Sequence, residues 1–503
     1  MPPNPLDITE EPTAPMEPPK RNLSAYDTSR FDAFIRFITE MLRHSFVLAD
    51  SFASSAHGTM QQLDALVMEH QKAPASSKLK RIVPSIGTMH TPLACTEAFT
   101  EYDAKYQITK RTLVPPSEDE VRHILNLAQV FSSAEGLRFI SFDGDETLYA
   151  DGGNFAQADA TKLARYIEKL LVAGVAVALV TAAGYKGAPE KYEVRLDGLL
   201  KHLEHADVPD DALARFYVVG GECNFLFECQ RVSADTAAED RRCAVRLREA
   251  APGWCAEHAE WPEAQIVRTL DIAEAALRDT AACLQLRCRI IRKERAVGMI
   301  PGGSEAKGRV PDGSGSRRIR KEHLDETALR LQLAIADAGV SIPTCCFNGG
   351  ADVWCDIGNK AVGVKALQQL LGVAPAACLH VGDQFSTSIG NDFAARLASP
   401  TLWVAGPKET QHVLKQLLER RGISTKAAKA RPSWPPSTKR TSIFLSPGRK
   451  KAEPGDAYHV PGDSSTPPKG VFRASSLDTG LQDLHKGLAS VKDDAPEPDW
   501  VRG

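Results

Sequence analysis

No run of this 503-residue chain stays apolar for the ~18 positions that a membrane-spanning helix requires; even Tyr166–Thr181 is interrupted by charge and glycine. A membrane span is therefore not expected. An excess of one charge is missing too: 61 Lys and Arg face 64 Asp and Glu, for a net charge of −3. A dominant nucleic-acid surface would make a domain strongly basic, so small-molecule partners fit better. The eleven cysteines include no CxxC pair, are odd in number, and place Cys345 beside Cys346. Neither a disulfide framework nor a zinc site is expected, only reduced and mostly buried thiols. The opening residues, MPPNPLDITEEPTAPMEPPK, lack the apolar core of a secretory signal and the arginine-rich pattern of a transit peptide. They read as a disordered leader, residues 1–24, on a cytoplasmic protein.

What is present is apolar material, 43% of residues, and roughly 150 residues per domain makes two or three folded units the expectation. Phe31, Phe34, Ile35, Ile38, Leu42 and Phe46 recur at helical spacing and predict an amphipathic helix over Ala25–Val47. Periodicity is poor from Ser51 to Thr100, where mixed loops and one helix near Gln61–Gln71 are expected. After Pro115–Pro116, Ser117 with Glu120 forms a capping box opening a helix that carries Val121, Ile124, Leu125 and Ala128. Residues 25–132 thus read as an N-terminal helical, regulatory region. Strands and helices then alternate: helix Ala158–Val172, strand Val175–Thr181, helix Lys191–Leu203, strand Phe216–Val219. That order predicts an α/β fold with a doubly wound parallel sheet. A middle section has helices Leu270–Leu284 and Glu322–Ala336, a strand Cys288–Ile291 and a Gly/Ser-rich loop Gly302–Ser316, after which the alternation resumes to Arg420. The expected division is a core of 133–220 and 340–422, an inserted α+β cap at 221–339, and a disordered tail at 423–503 without a role in catalysis.

The chemistry concentrates in LRFISFDGDETLYADG, Leu137–Gly152, where an apolar strand delivers Asp143 and Asp145 to its end and Thr147 follows. Two carboxylates so spaced suit phosphoryl transfer through an aspartyl-phosphate, one attacking phosphorus and the other protonating the leaving oxygen and then activating water. Open α/β sheets bind ligands beyond the carboxyl ends of their strands, which makes other strand-terminal polar residues candidates for the same pocket. These are Thr181, Lys360 in DVWCDIGNK, and Asp383 in HVGDQF with Asp392 nearby. A phosphate monoester brings about two negative charges to a carboxylate, so the site needs a cation and a metal; Lys360 supplies the first, and Asp143 with Asp383 suit Mg²⁺. Taken singly, each has an ordinary role: Asp-Gly is a common turn, Thr181 a helix cap, Lys360 a solvated lysine. Their order and shared placement after strands favour one pocket.

That order resembles the haloacid dehalogenase superfamily of phosphatases. More narrowly, TLVPPSEDEVRHILNLAQV, FISFDGDETLYADGG, GGECNFLFE, RIIRKERAVGMIP, FNGGADVWCDIGNKAVGV and HVGDQFSTSIGNDFAARLA resemble, in family order, the IMP-specific 5′-nucleotidases, from about Arg30 to Arg420. The resemblance implies a haloacid dehalogenase-like core and hydrolysis of inosine 5′-monophosphate with Mg²⁺, by a cytosolic homo-oligomer, a tetramer, that ATP activates. It implies Asp143 as nucleophile and Asp145 as general acid/base. Substrate contacts would be Asp145, Asp151, Thr181, Asp352 and Lys360, and Mg²⁺ ligands Asp143, Asp145 through its carbonyl, and Asp383. Lys105 and His123 would match the ATP-effector positions, and Asp392 would orient its neighbours. Asn224, Phe225 and Phe227 are candidates for facing the base, although core packing suits both phenylalanines better, and the RKER cluster at 292–295 could reach a phosphate or a neighbouring subunit but reads more readily as a solvated face. The alternatives are a phosphatase of broader nucleotide or sugar-phosphate specificity, a nucleotide sensor that does not hydrolyse, and a scaffold acting through its tail.

Overall fold

A computed structural model describes residues 32–49, 51–155, 160–232, 244–302, 319–386 and 389–426. The expected leader, the loop from Gly303 to Ser316 and the tail beyond Lys426 lie outside these residues. Among the described residues no helix is long and apolar enough to cross a membrane.

Four helices dominate the N-terminal region: α1 (Ala33–Leu48), α2 (Phe52–Lys72), α4 (Cys95–Tyr106) and α5 (Glu118–Ser133), with a single turn, α3 (Lys78–Ile82), between. The capping box at α5 forms as its sequence predicts, with Ser117 and Glu120 satisfying each other's backbone N–H. The helix expected near Gln61–Gln71 lies inside the longer α2, and the rest of α2 together with α4 corrects the expectation of mixed loops over 51–100. Their apolar stripe is thin, Ala56, Met60, Leu63 and Val67 on α2, and becomes decisive only when buried against α1, α4 and α5.

The core sheet follows with β1 (Phe139–Phe142), α6 (Ala160–Val172), β2 (Ala176–Val180), α7 (Pro189–His205), a turn α8 (Asp210–Leu213), β3 (Phe216–Gly220), β4 (Phe225–Val232) and β5 (Ala244–Glu249). The chain then builds α9 (Glu263–Cys283), β6 (Cys288–Arg292), β7 (Ala296–Pro301), α10 (Lys321–Asp337), β8 (Thr344–Asn348) and β9 (Val353–Ile357). It returns through α11 (Lys360–Leu371), β10 (Cys378–Gly382), β11 (Thr401–Trp403) and α12 (Pro407–Arg420). Seven strands form the core sheet in the order β11-β10-β1-β2-β3-β4-β5. The strands from β11 to β3 are parallel, and β4 and β5 extend the sheet antiparallel. Alternation sorts the two faces. Ile140, Phe142, Val177 and Leu179 pack on α6, α7 and α12, while Phe139, Ala176, Ala178 and Val180 pack on α11.

A second, antiparallel sheet runs β6-β7-β9-β8. Val297, Met299, Val353 and Cys355 turn one of its faces onto α9 and α10. This corrects the expected division at both ends. Strands β4 and β5, given to the cap at 221–339, belong to the core sheet; β8 and β9, given to the core from 340, belong to the second sheet. Between β10 and β11, Phe393–Leu397 forms a 3₁₀ turn.

Candidate active site

The carboxyl ends of β1, β2 and β10 converge, as a doubly wound sheet requires, and α11 points its first residue at them. Asp143 follows β1, Thr181 follows β2, Asp383 follows β10, and Lys360 opens α11 behind the N-cap Asn359. Lys360 is fully buried. Its Nζ lies 2.9 Å from Asp143 Oδ1 and 2.5 Å from Asp392 Oδ1. His380 Nε2 reaches the same Asp392 oxygen at 3.0 Å, and His380 Nδ1 meets Ser141 Oγ at 2.9 Å. Asp392 Oδ2 accepts the Gln384 N–H at 2.9 Å, so protein donors hold both oxygens of Asp392.

Asp383 is different: its Oδ1 is buried without a hydrogen-bond partner. Carboxylate oxygens of Asp143, Asp383 and Asp392 all lie within 4.8 Å of one another. An orphaned buried carboxylate oxygen beside two more is costly unless a cation joins it, and an all-oxygen donor set suits a hard ion such as Mg²⁺. The residues fit that ion.

The charges agree. Burial pushes the Asp143 carboxyl up to about 7 despite Lys360, with Asp392 adding to the rise. Burial likewise drives Asp383 well above the carboxylate range, helped by Asp392 and Asp143. Asp392 goes the other way: burial opposes ionisation, but Lys360 and His380 hold it at about 2. Burial would lower Lys360, yet Asp143, Asp392 and Glu222 together raise it above its ordinary value. The lysine is therefore a permanent cation touching the carboxylate that the sequence names as nucleophile.

Asp145 sits at the mouth, its Oδ1 accepting from Arg195 Nη1 at 3.0 Å and from the Gly152 N–H at 2.9 Å. Gly144 between the aspartates has no room for a side chain, because a Cβ there would lie 2.3 Å from the Tyr149 hydroxyl. Thr181 Oγ accepts the Ala183 N–H at 3.2 Å, which leaves its proton to donate. Asp143, Asp145, Asp151, Thr181, Asp352 and Asp383 all line one cavity of about 530 Å³. Burial raises Asp352, with Asp151 adding to it, and burial raises Asp151, with Asp145 and Glu146 adding to it.

Of the sequence-predicted residues, Lys360 stands behind Asp143 and does not line the cavity. Lys105 and His123 lie apart from it on α4 and α5. Lys105 Nζ rests 4.8 Å over the Tyr106 ring, and His123 Nε2 is 3.2 Å from Glu409. The candidates for facing the base are displaced. Asn224 ties the backbone carbonyls of Gly221 and Ile357 at 2.7 Å each, Phe227 is in the core, and neither they nor Phe225 reach the cavity. Arg195, Tyr185 and Trp354, which sequence reasoning did not select, do line it, as does Lys293 of the RKER cluster, for which a solvated face is the favoured reading of the sequence. Lys293 Nζ sits 4.3 Å over the Trp354 ring, so the RKER cluster turns one of its charges inward. Lys293 and Trp354 lie in the quoted blocks, whereas Tyr185 and Arg195 lie outside them and carry no signal.

A family model described as IMP-specific 5′-nucleotidase matches residues 23–414. An IMP-specific 5′-nucleotidase 1 of Plasmodium falciparum is 36% identical over 394 residues, 77% of this chain and 83% of its own length. That of Eremothecium gossypii is 39% identical over 418 residues, 77% and 95%. An N-terminally truncated, IMP-bound Plasmodium falciparum IMP-nucleotidase superposes with a TM-score of 0.67 at 36% identity, covering 77% of this chain and 96% of that one. An ATP-bound structure of the Plasmodium enzyme gives 0.66 at 36% identity, covering 77% and 85%. With the paired aspartates, the buried lysine and the second sheet all inside the matched span, the chain belongs to the IMP-specific 5′-nucleotidase family.

Proposed function

We propose that this enzyme hydrolyses inosine 5′-monophosphate to inosine and inorganic phosphate through Asp143, with Mg²⁺ bound and ATP as activator. The observation that carries the reading is Lys360 Nζ at 2.9 Å from Asp143 Oδ1, behind a carboxylate that lines the same cavity as Asp145. Asp143 attacks phosphorus, a P–Oδ bond forms, and the P–O5′ bond breaks as Asp145 gives its proton to the ribose oxygen. Asp145 then takes a proton from water as the water attacks phosphorus, the P–Oδ bond breaks, and Asp143 is restored. Lys360 neutralises Asp143 throughout, and Thr181 Oγ donates to a phosphoryl oxygen. Mg²⁺, held by Asp143, the Asp145 carbonyl and Asp383, would offset the charge of the phosphoryl oxygens. Arg195 fixes Asp145 in reach of the leaving oxygen.

Asp151 and Asp352 at the cavity edge suit the ribose hydroxyls. The ATP site is assigned to the helical region around Lys105 and His123, supported by the nearness of Lys105, Lys415 and His123 to His412 and by the ATP-bound relative. The working form is read as a cytoplasmic homo-oligomer. The test is phosphate release from IMP, AMP, GMP and a hexose phosphate, with and without Mg²⁺, by wild type and Asp143→Asn. IMP should be preferred, and Asp143→Asn should lower turnover by about 10³-fold or more at unchanged thermal stability. Equal rates on all four esters would remove the IMP assignment, and near-normal turnover by Asp143→Asn would remove the nucleophile.

A further inference from the structure

Strand β11 is the outer edge of the core sheet. An edge strand presents backbone N–H and C=O groups with no strand to pair them. Here a side chain takes that place. Asn126 on α5 accepts the Trp403 N–H on Oδ1 at 3.0 Å and donates from Nδ2 to the Trp403 carbonyl at 2.7 Å. Its amide thus pairs with this residue as a neighbouring strand would. One turn earlier on α5, Arg122 Nη1 donates to the same carbonyl at 2.6 Å and to Glu409 Oε1 at 2.7 Å. Glu409 also meets His123 at 3.2 Å and accepts the Ala405 N–H at 2.8 Å. Arg122 and Asn126 are both buried. Helix α5 therefore grips the end of β11 and the start of α12 through desolvated, charge-assisted bonds, the stronger kind.

The grip is passed inward. The Trp403 indole Nε1 donates to the Asp383 carbonyl at 2.7 Å. The other side of that peptide is also held, since the Gln384 N–H bonds Asp392 Oδ2 at 2.9 Å. The peptide unit joining Asp383 to Gln384 is thus pinned at its oxygen by Trp403 and at its nitrogen by Asp392. What is left free is the buried Asp383 Oδ1.

We infer that Trp403 is a positioning residue for Asp383, and that through it the α5 face bearing Arg122, His123 and Asn126 sets the affinity of the site for a divalent ion. The inference rests on the reading of Asp383 as a metal ligand. Partners that orient a ligand without touching the metal typically govern affinity by 10- to 100-fold.

The test titrates Mn²⁺ into the full, nucleotide-free chain and follows free Mn²⁺ by electron paramagnetic resonance, for wild type, Trp403→Phe, Asn126→Ala and Asp383→Asn. Trp403→Phe keeps an aromatic ring facing Phe385, 6.1 Å away between centroids, and removes the indole N–H together with the fused second ring. It should weaken Mn²⁺ about tenfold and raise the Mg²⁺ needed for half-maximal hydrolysis by a similar factor. Asn126→Ala should weaken Mn²⁺ in the same direction by a smaller factor, without touching the site. Unchanged Mn²⁺ affinity in a folded Trp403→Phe overturns the inference; if that variant does not fold, unchanged affinity in Asn126→Ala does so. Wild-type Mn²⁺ binding by Asp383→Asn would instead overturn the ligand reading beneath it.

Discussion

Asp356 is a carboxyl with little to hold it. It is 2% exposed and its Oδ2 has no partner. Burial lifts it from 3.8 to about 7, although Lys293 and Lys360 draw it down. The folded protein keeps this proton to higher pH than the unfolded chain does. The group's contribution to stability is therefore greatest in acid, and falls as pH rises from about 4 to about 7. Across that window each pH unit costs about 1.4 kcal/mol. Asp356→Asn removes the titration and keeps the shape. In metal-free protein the variant should gain on wild type as pH rises, melting higher relative to it at pH 8 than at pH 5; a gap of the same size at both pH values would refute the assignment. This residue also marks a limit of sequence reading. Asp143, Asp145, Thr181 and Asp383 were legible because each ends or follows an apolar strand, a pattern local to its own segment. Asp356, Arg195 and Lys293 were not, because a charged residue on a strand, a helix or a hairpin turn declares no direction until its neighbours are in place.

Among the elements, β7 decides the shape of the cavity wall. Gly298 lies opposite Trp354 of β9, and a Cβ at Gly298 would stand 2.4 Å from two ring carbons of the indole. Glycine here lets the ring lie flat on the sheet, facing Lys293, rather than standing into the cavity. Gly298→Ala should push the ring outward and lower kcat/KM for IMP by about tenfold or more. p-Nitrophenyl phosphate, which has no nucleoside to seat against the wall, should lose far less. Comparable losses on both esters would mean general damage rather than a displaced wall. The core strands were readable as continuous apolar runs, and their parallel direction followed from alternation with helices. The sheet to which each hairpin belongs was not readable. Strand β4 reverses within five residues of β3 and stays in its sheet, whereas β9 ends at Ile357, two residues before α11 begins to pack on the core. Nothing local distinguishes the two cases.

At the scale of the whole molecule, the helical region and the catalytic floor share one hydrogen-bonded path, from α5 through Trp403 to Asp383. Asn126 and Trp403 are 277 positions apart in the chain, so no spacing rule brings them together. If ATP binds beside His123 and acts along this path, its binding and that of IMP are thermodynamically linked. ATP must then tighten IMP by the same factor as IMP tightens ATP, typically about 5- to 150-fold for allosteric pairs. Asp145→Asn makes the measurement practical, since it removes the proposed proton donor while leaving Asp143, Lys360 and Asp383 in place. Calorimetric titration of each nucleotide, alone and with the other saturating, at a fixed excess of Mg²⁺, gives the factor. It should exceed about fivefold in Asp145→Asn. It should fall toward unity when Asn126→Ala is added, with each nucleotide alone still binding. A coupling factor that survives loss of Asn126 would route the signal elsewhere, because the amide is the element of α5 that grips both the N–H and the carbonyl of Trp403. Arg122, which donates to the same Trp403 carbonyl at 2.6 Å, would then be the next link from α5 to test.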